Sequence, residues 1–187
     1  MNKKTLGLYA AVALAFGVMG VLTAVKRQAP APLSTTIAPT GGAPHTPVSA
    51  LFAESMNDAA GKRQALSQWQ GKPLVVNFWA PWCGPCVQEM PELDQLAGQL
   101  AAKQIHVIGI GIDSPSNIAE FAAKFKISYP LYVAGMSGTE MARGFGNAGG
   151  GLPYTVLIGA DGQVRKTYLG RIKFEQLKAD LAALPPS

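Results

Sequence analysis

Apolar residues fall along this chain in three rhythms. From Thr5 to Val25 they run on with no charged residue among them, a length sufficient for a helix that crosses a bilayer. Two shorter runs, Pro73–Trp79 and Ile105–Ile112, are almost continuously apolar, which predicts strands covered on both faces. The third rhythm is helical: Met90, Leu93, Leu96, Ala97 and Leu100 recur at helix spacing within residues 88–103, and a similar pattern occupies Ser116–Phe125, with Pro115 and Ser116 placed to open it. Strand, helix, strand, helix in that order predicts a parallel sheet core.

Nearer the C-terminus, Tyr154–Ile158 and Gln163–Leu169 flank Asp161-Gly162, a strong hairpin signal, so an antiparallel edge is expected to join the sheet. Residues 172–184 predict a closing helix with Phe174, Leu177, Leu181 and Leu184 on one side, stopped by Pro185-Pro186. No internal repeat is present. The expected fold class is therefore α/β, a central mixed sheet flanked by helices.

Basic pairs, Lys3-Lys4 and Lys26-Arg27, flank the long apolar run. A cleaved signal peptide has a shorter apolar region followed by small residues, so an uncleaved anchor is favoured. Positive charge on both flanks leaves orientation undecided by the positive-inside rule, and no cysteine lies nearby to accept a lipid. Residues 28–50 hold Pro30, Pro32, Pro39, Pro44 and Pro47 among small and polar residues, too little apolar surface to fold. They read as an extended tether, with His45 a solvated residue of it. The expected organisation is a membrane anchor (or signal) at 1–27, a linker at 28–50 and one folded domain at 51–187.

Charge adds an exclusion. Of the 16 Lys and Arg, four flank the apolar run, leaving 12 against 11 Asp and Glu beyond residue 50. A nucleic-acid partner requires positive charge clustered on the folded domain, so none is expected.

Cys83 and Cys86 are the only cysteines of the chain. The loop they close is too short to restrict an unfolded chain much, which points to redox or metal chemistry, with a purely structural disulfide as the plain alternative. Zinc needs two further ligands, and the two histidines are His45 in the linker and His106 in a strand pattern, where it reads as a packed residue; no metal is expected. The Cys-x-x-Cys run falls where a buried strand ends and a helix begins, a position at which unpaired backbone N–H groups favour a thiolate. Cys83 is then the nucleophile and Cys86 the resolving thiol, with no cofactor beyond the cysteine pair. Trp82, with Gly84 and Pro85 between the cysteines, is expected to line the contact surface for a partner, while Trp79 belongs to the core. Gly109-x-Gly111 and Gly149-Gly150-Gly151 do not make a dinucleotide fingerprint.

Phe78-Trp79-Ala80-Pro81-Trp82-Cys83-Gly84-Pro85-Cys86 resembles the thioredoxin active-site run. Cys86-Val87-Gln88-Glu89-Met90-Pro91 is similar to the continuation found in the TlpA and ResA group, and Gly151-Leu152-Pro153-Tyr154-Thr155 is similar to the cis-proline loop of that family. The resemblance implies a thioredoxin-like fold with a cis Leu152–Pro153 bond beside the cysteines, the Leu152 backbone pairing with an extended substrate segment. Where thioredoxin has a buried acid this chain has Asn77, which cannot titrate; the ResA-like group implies that Glu89 tunes the cysteines and relays a proton. By spacing alone a solvated helix-surface position suits Glu89 equally well.

The same resemblance implies a protein-disulfide reductase for exported proteins, among them apocytochrome c and copper-site proteins. It also implies recharging by a membrane electron donor of the DsbD or CcdA kind, and a catalytic domain held in the periplasm or extracytoplasmic space by the N-terminal helix in the inner or cytoplasmic membrane. Gly84 departs from the acidic residue of the ResA pattern, which leaves the potential and the direction of electron flow open. A thiol peroxidase and a non-catalytic assembly factor that binds apoprotein clients are the alternatives.

Overall fold

The computed structural model describes residues 46–185. The expected anchor at Thr5–Val25 and most of the expected linker lie outside the described residues. Among the described residues, no helix is long and apolar enough to cross a membrane.

In chain order the elements are α1 (Pro47–Ala53), β1 (Ser55–Asp58), β2 (Arg63–Ala65), a 3-10 turn (Leu66–Trp69), β3 (Leu74–Trp79), α2 (Gly84–Ala101), β4 (His106–Gly111), α3 (Pro115–Phe125), β5 (Leu131–Val133), α4 (Ser137–Gly144), β6 (Tyr154–Ile158), β7 (Val164–Leu169) and α5 (Phe174–Ala182). The strands form one sheet in the order β2-β1-β5-β4-β3-β6-β7. β3, β4 and β5 run parallel, and the flanking strands pair antiparallel on both sides.

Folded structure begins earlier than the expected boundary at residue 51. Thr46 caps α1, its hydroxyl accepting the Ser49 N–H at 3.1 Å, and Pro47 stands in the first turn, where a fixed φ and a missing N–H favour a helix start. Val48, Leu51 and Phe52 then bury their side chains. Thr46-Pro47 is thus a helix cap, although its composition matches the tether before it.

All six residues of β3 are buried, yet they serve two separate cores. Val75 and Trp79 point to the layer built by α2, α3 and α5, where Leu93, Ile118, Phe121 and Leu177 pack. Leu74, Val76 and Phe78 point to the other layer, where Leu51, Leu66, Ala142 and Phe145 pack. A continuous apolar run is what such two-sided burial requires. Asn77 shares the first face with Val75 and Trp79 by the two-residue period of a strand. It is a polar residue in a strand whose every position is buried.

Gly109 and Gly111 owe their identity to packing in β4. A Cβ built on Gly109 would lie 2.5 Å from Leu131 Cδ2, 3.0 Å from Trp79 Nε1 and 3.3 Å from Tyr129 Cε2. One built on Gly111 would collide with Ile118 Cδ1. The missing side chain at Gly109 is what lets the Trp79 and Tyr129 rings settle over the sheet. Gly109→Val is therefore expected to destabilise the domain by at least about 2 kcal/mol through overpacking, read as a lowered midpoint in denaturant unfolding of the oxidised protein; an unchanged midpoint would contradict this packing account.

Candidate active site

β3 ends at Trp79, and after a short turn Cys83 becomes the N-cap of α2, with φ −86° and ψ 102°. Its sulfur accepts the backbone N–H of Cys86 at 3.3 Å, and its carbonyl accepts the Val87 N–H at 3.1 Å. Pro85 occupies the first turn, where its lack of an N–H leaves one fewer donor to satisfy. α2 therefore starts at Gly84, several residues before the apolar stripe that marks it in sequence. Cys83 and Cys86 are joined by a disulfide; Cys83 is nearly buried and Cys86 fully so.

The same helix buries Cys86, Glu89, Met90 and Leu93 along one side. Glu89 is 0% exposed, which removes the solvated-surface position that spacing alone allowed. Its Oε1 accepts a hydrogen bond from Asn77 Nδ2 at 2.9 Å, and its Oε2 accepts one from the Ile172 N–H at 2.8 Å. Burial pushes its pKa up to about 7; the Ile172 N–H, the Asn77 amide and the nearby Arg171 charge oppose that rise without cancelling it.

The second segment of the site arrives through sheet register. β6 pairs antiparallel with β3, Phe78 opposite Tyr154 and Asn77 opposite Thr155, so the residues just before β6 lie at the end of β3 that leads to the cysteines. The Leu152–Pro153 bond is cis. Its loop is held by Asn147 Nδ2 donating to the Gly151 carbonyl, by the Gly170 N–H donating to the Pro153 carbonyl, and by Tyr154 OH donating to the Phe145 carbonyl, each at 2.8 Å. Among the described residues, neither the N–H nor the C=O of Leu152 has a backbone partner.

Around these groups the surface mixes apolar side chains with polar ones. Trp82 is 69% exposed, Gly84 and Pro85 are exposed and Leu152 is half-buried, while Pro153 is buried. Trp82 and Leu152 both line a cleft of about 850 Å³ that runs over the carboxyl ends of β4 and β5, by Ile112 and Met136. Trp79 is fully buried, as expected for core, and His106 packs against Trp69 with ring centroids 5.0 Å apart and the planes tilted by 49°. Among the described residues, no group of three or more His, Cys, Asp and Glu is placed to hold a metal ion.

The contacts of three groups at this site escaped the sequence. Asn77 had a visible signal, the lone polar side chain in an apolar run, but its partner did not. Thr155 and the Ile172 N–H had none, since strand register brings Thr155 to Asn77 and the chain's return after β7 brings the Ile172 N–H to Glu89.

A mixed sheet with a Cys-x-x-Cys pair capping the helix after its central strand, opposite a cis-proline loop, defines a thioredoxin-like thiol–disulfide oxidoreductase. Residues 35–181 match the Redoxin family, and the chain belongs to it. It is 29% identical over 132 residues to the thiol-disulfide oxidoreductase ResA of Geobacillus thermodenitrificans, covering 70% of this chain and 74% of the relative. With the same coverage it is 30% identical to ResA of Bacillus cereus. Among solved structures, a thiol:disulfide interchange protein of the thioredoxin family from Chlorobium tepidum matches with a TM-score of 0.62 at 25% identity, over 70% of this chain and 92% of that one. The protein is thus a thiol-disulfide oxidoreductase of ResA type.

The buried carboxyl makes stability depend on pH. Glu89 binds its proton more tightly folded than unfolded, so its neutral form favours the fold fully below about pH 4.5, and that contribution is lost as pH rises to about 7. The oxidised protein is expected to lose on the order of 3 kcal/mol across this window from Glu89. Denaturant titrations of wild type and Glu89→Gln should differ by this slope, the Gln variant lacking it; parallel curves would show that Glu89 does not titrate there.

Proposed function

We propose that this protein is a membrane-tethered reductase of disulfides in exported proteins, of the kind that prepares apocytochrome c or metal-site cysteines for assembly. The observation that carries the reading is the Cys83 sulfur capping α2 beside a cis-proline loop whose Leu152 backbone is unpaired. A helix N-terminus stabilises a sulfur anion, and an unpaired backbone segment accepts an extended client strand by augmentation.

In the proposed reaction the Cys83 thiolate attacks one sulfur of a client disulfide. A Cys83–client bond forms, and the second client sulfur leaves as a thiolate and takes a proton. Cys86 gives its proton to Glu89 and attacks Cys83 Sγ, forming the Cys83–Cys86 disulfide and releasing the client with two added electrons as a dithiol. A membrane donor of the DsbD or CcdA kind returns two electrons to the pair. Leu152 and Pro153 align the client strand, and Trp82, Gly84 and Pro85 give it an apolar surface around the sulfur. The uncharged run Thr5–Val25 supports an anchor that keeps the domain at the extracytoplasmic face of the membrane, where disulfides persist unless electrons are delivered.

With Cys86→Ala the mixed disulfide cannot resolve, so clients accumulate on Cys83 and are identified by mass spectrometry under non-reducing conditions. Recovery of no exported cysteine protein in vivo would sink the reading. In Glu89→Gln the resolving step is expected to slow about 100-fold at neutral pH, the scale of a lost general base. Unchanged resolution rates and unchanged cysteine pKa values would remove Glu89 from the mechanism.

A further inference from the structure

Asn77 stands where thioredoxin has a buried acid, and its contacts go beyond filling the space. Its Nδ2 donates to Glu89 Oε1 and to Thr155 Oγ1, both at 2.9 Å, while its Oδ1 has no partner. Asn77, Thr155 and Glu89 are each 0% exposed. Asn77 and Thr155 are direct cross-strand neighbours on the face that meets α2, so the amide is anchored from the sheet while it reaches the helix. We propose that Asn77, held by Thr155, is a positioning residue for Glu89, its amide offering a donor to the ionised carboxylate and, turned over, an acceptor to the protonated one. This rests on Glu89 being the proton acceptor of the exchange reaction.

The geometry accounts for both states. Glu89 Oε2 is engaged by the Ile172 N–H, a backbone group that only donates, so the proton goes to Oε1, the oxygen that faces Asn77. A protonated Oε1 becomes a donor, and a donor facing Asn77 Nδ2 leaves the Glu89 O–H and one N–H of the amide without an acceptor, the other N–H keeping Thr155 Oγ1. Rotation of the amide by half a turn puts Oδ1 there instead, where it accepts from Glu89 Oε1–H and from the Thr155 hydroxyl, which donates as readily as it accepts. The two orientations are unequal. Facing the carboxylate with Nδ2 leaves one carbonyl oxygen unpaired, whereas the reverse leaves two N–H donors without an acceptor, the costlier omission in a buried site. Asn77 thus supports both forms of Glu89 and favours the anion.

The chemistry also explains why this position carries an amide. Asp here would set two carboxylates within hydrogen-bond contact, which cannot both ionise, and an aliphatic residue would leave Oε1 with no partner in either state. The other groups facing Glu89 are Cys86 on its own helix, Arg171 beside Ile172, and Tyr129 ahead of β5, whose buried hydroxyl also feels Asp94. None of these changes from donor to acceptor in place as the carboxyl titrates, except the Tyr129 hydroxyl, which makes no hydrogen bond to it.

The test is an NMR titration of the oxidised full chain with labelled Glu side-chain carboxyls and Asn side-chain amides, the Glu89 signal assigned by its loss in Glu89→Gln. In the wild type the Asn77 amide signals are expected to move with the same midpoint as the Glu89 carboxyl. In Asn77→Leu that midpoint should rise by about one pH unit, a tenfold gain in proton affinity from losing one hydrogen bond to the anion. Should Leu at this site prevent folding, Asn77→Asp carries the test and should raise the last carboxyl midpoint by at least as much. Asn77 signals that stay flat through the Glu89 titration, or a midpoint unmoved in whichever variant folds, would overturn the proposal. Unchanged cysteine chemistry in Glu89→Gln would instead refute the role of Glu89 in exchange, an outcome distinct from either.

Discussion

The reactive end of this protein is organised by a single requirement, that an 18-residue helix begin where a fully buried strand ends. A helix start leaves backbone N–H groups in need of acceptors. Cys83 meets the need with its sulfur and its carbonyl, and Pro85 removes one donor from the tally. The atom that caps the helix is the sulfur proposed to react, and the field at a helix N-terminus is one that favours a thiolate. In the proposed reaction this sulfur is the nucleophile, so structure and chemistry share one interaction.

Glu89, the proposed proton acceptor, sits one helical turn beyond Cys86. Burying a carboxylate costs several kcal/mol unless donors surround it, and Glu89 has two, one from the sheet and one from the chain returning after β7. They are enough to keep it in the core and too few to hold it in the ordinary carboxylate range, which leaves it near neutrality. Placing the acid on the helix that carries Cys86, with an amide on the strand below, fixes carboxyl and cysteine to the same rigid element.

The outer surface follows from sheet topology. The parallel strands β3, β4 and β5 all end on the same side, and the cysteine turn, the segment at Ile112 and the segment at Met136 emerge there together. Residues of β1 and β2 also line the cleft. These strands are short and, Met56 apart, only partly buried or exposed, so their contribution lies in extending the sheet and shaping the cleft. Trp82 and Met136 expose large apolar side chains beside it.

What the sequence determined by itself was whatever local physics sets. Two-sided burial made β3 and β4 legible as apolar runs, helix periodicity disclosed α2, α3 and α5, Asp161-Gly162 located the hairpin, and the spacing of Cys83 and Cys86 announced the chemistry. The short pieces stayed hidden: β5 has three residues, α4 buries little beyond Gly138 and Ala142, and α1 followed a proline-rich stretch whose composition it shared. Such segments carry too few periods to register. Glu89 showed the limit most clearly, since its spacing suited solvent and core alike. Only the tertiary structure decided that it lies inside, because the partners that make burial tolerable come from β3 and from the chain beyond β7, and long-range register leaves no periodic trace in the residues themselves.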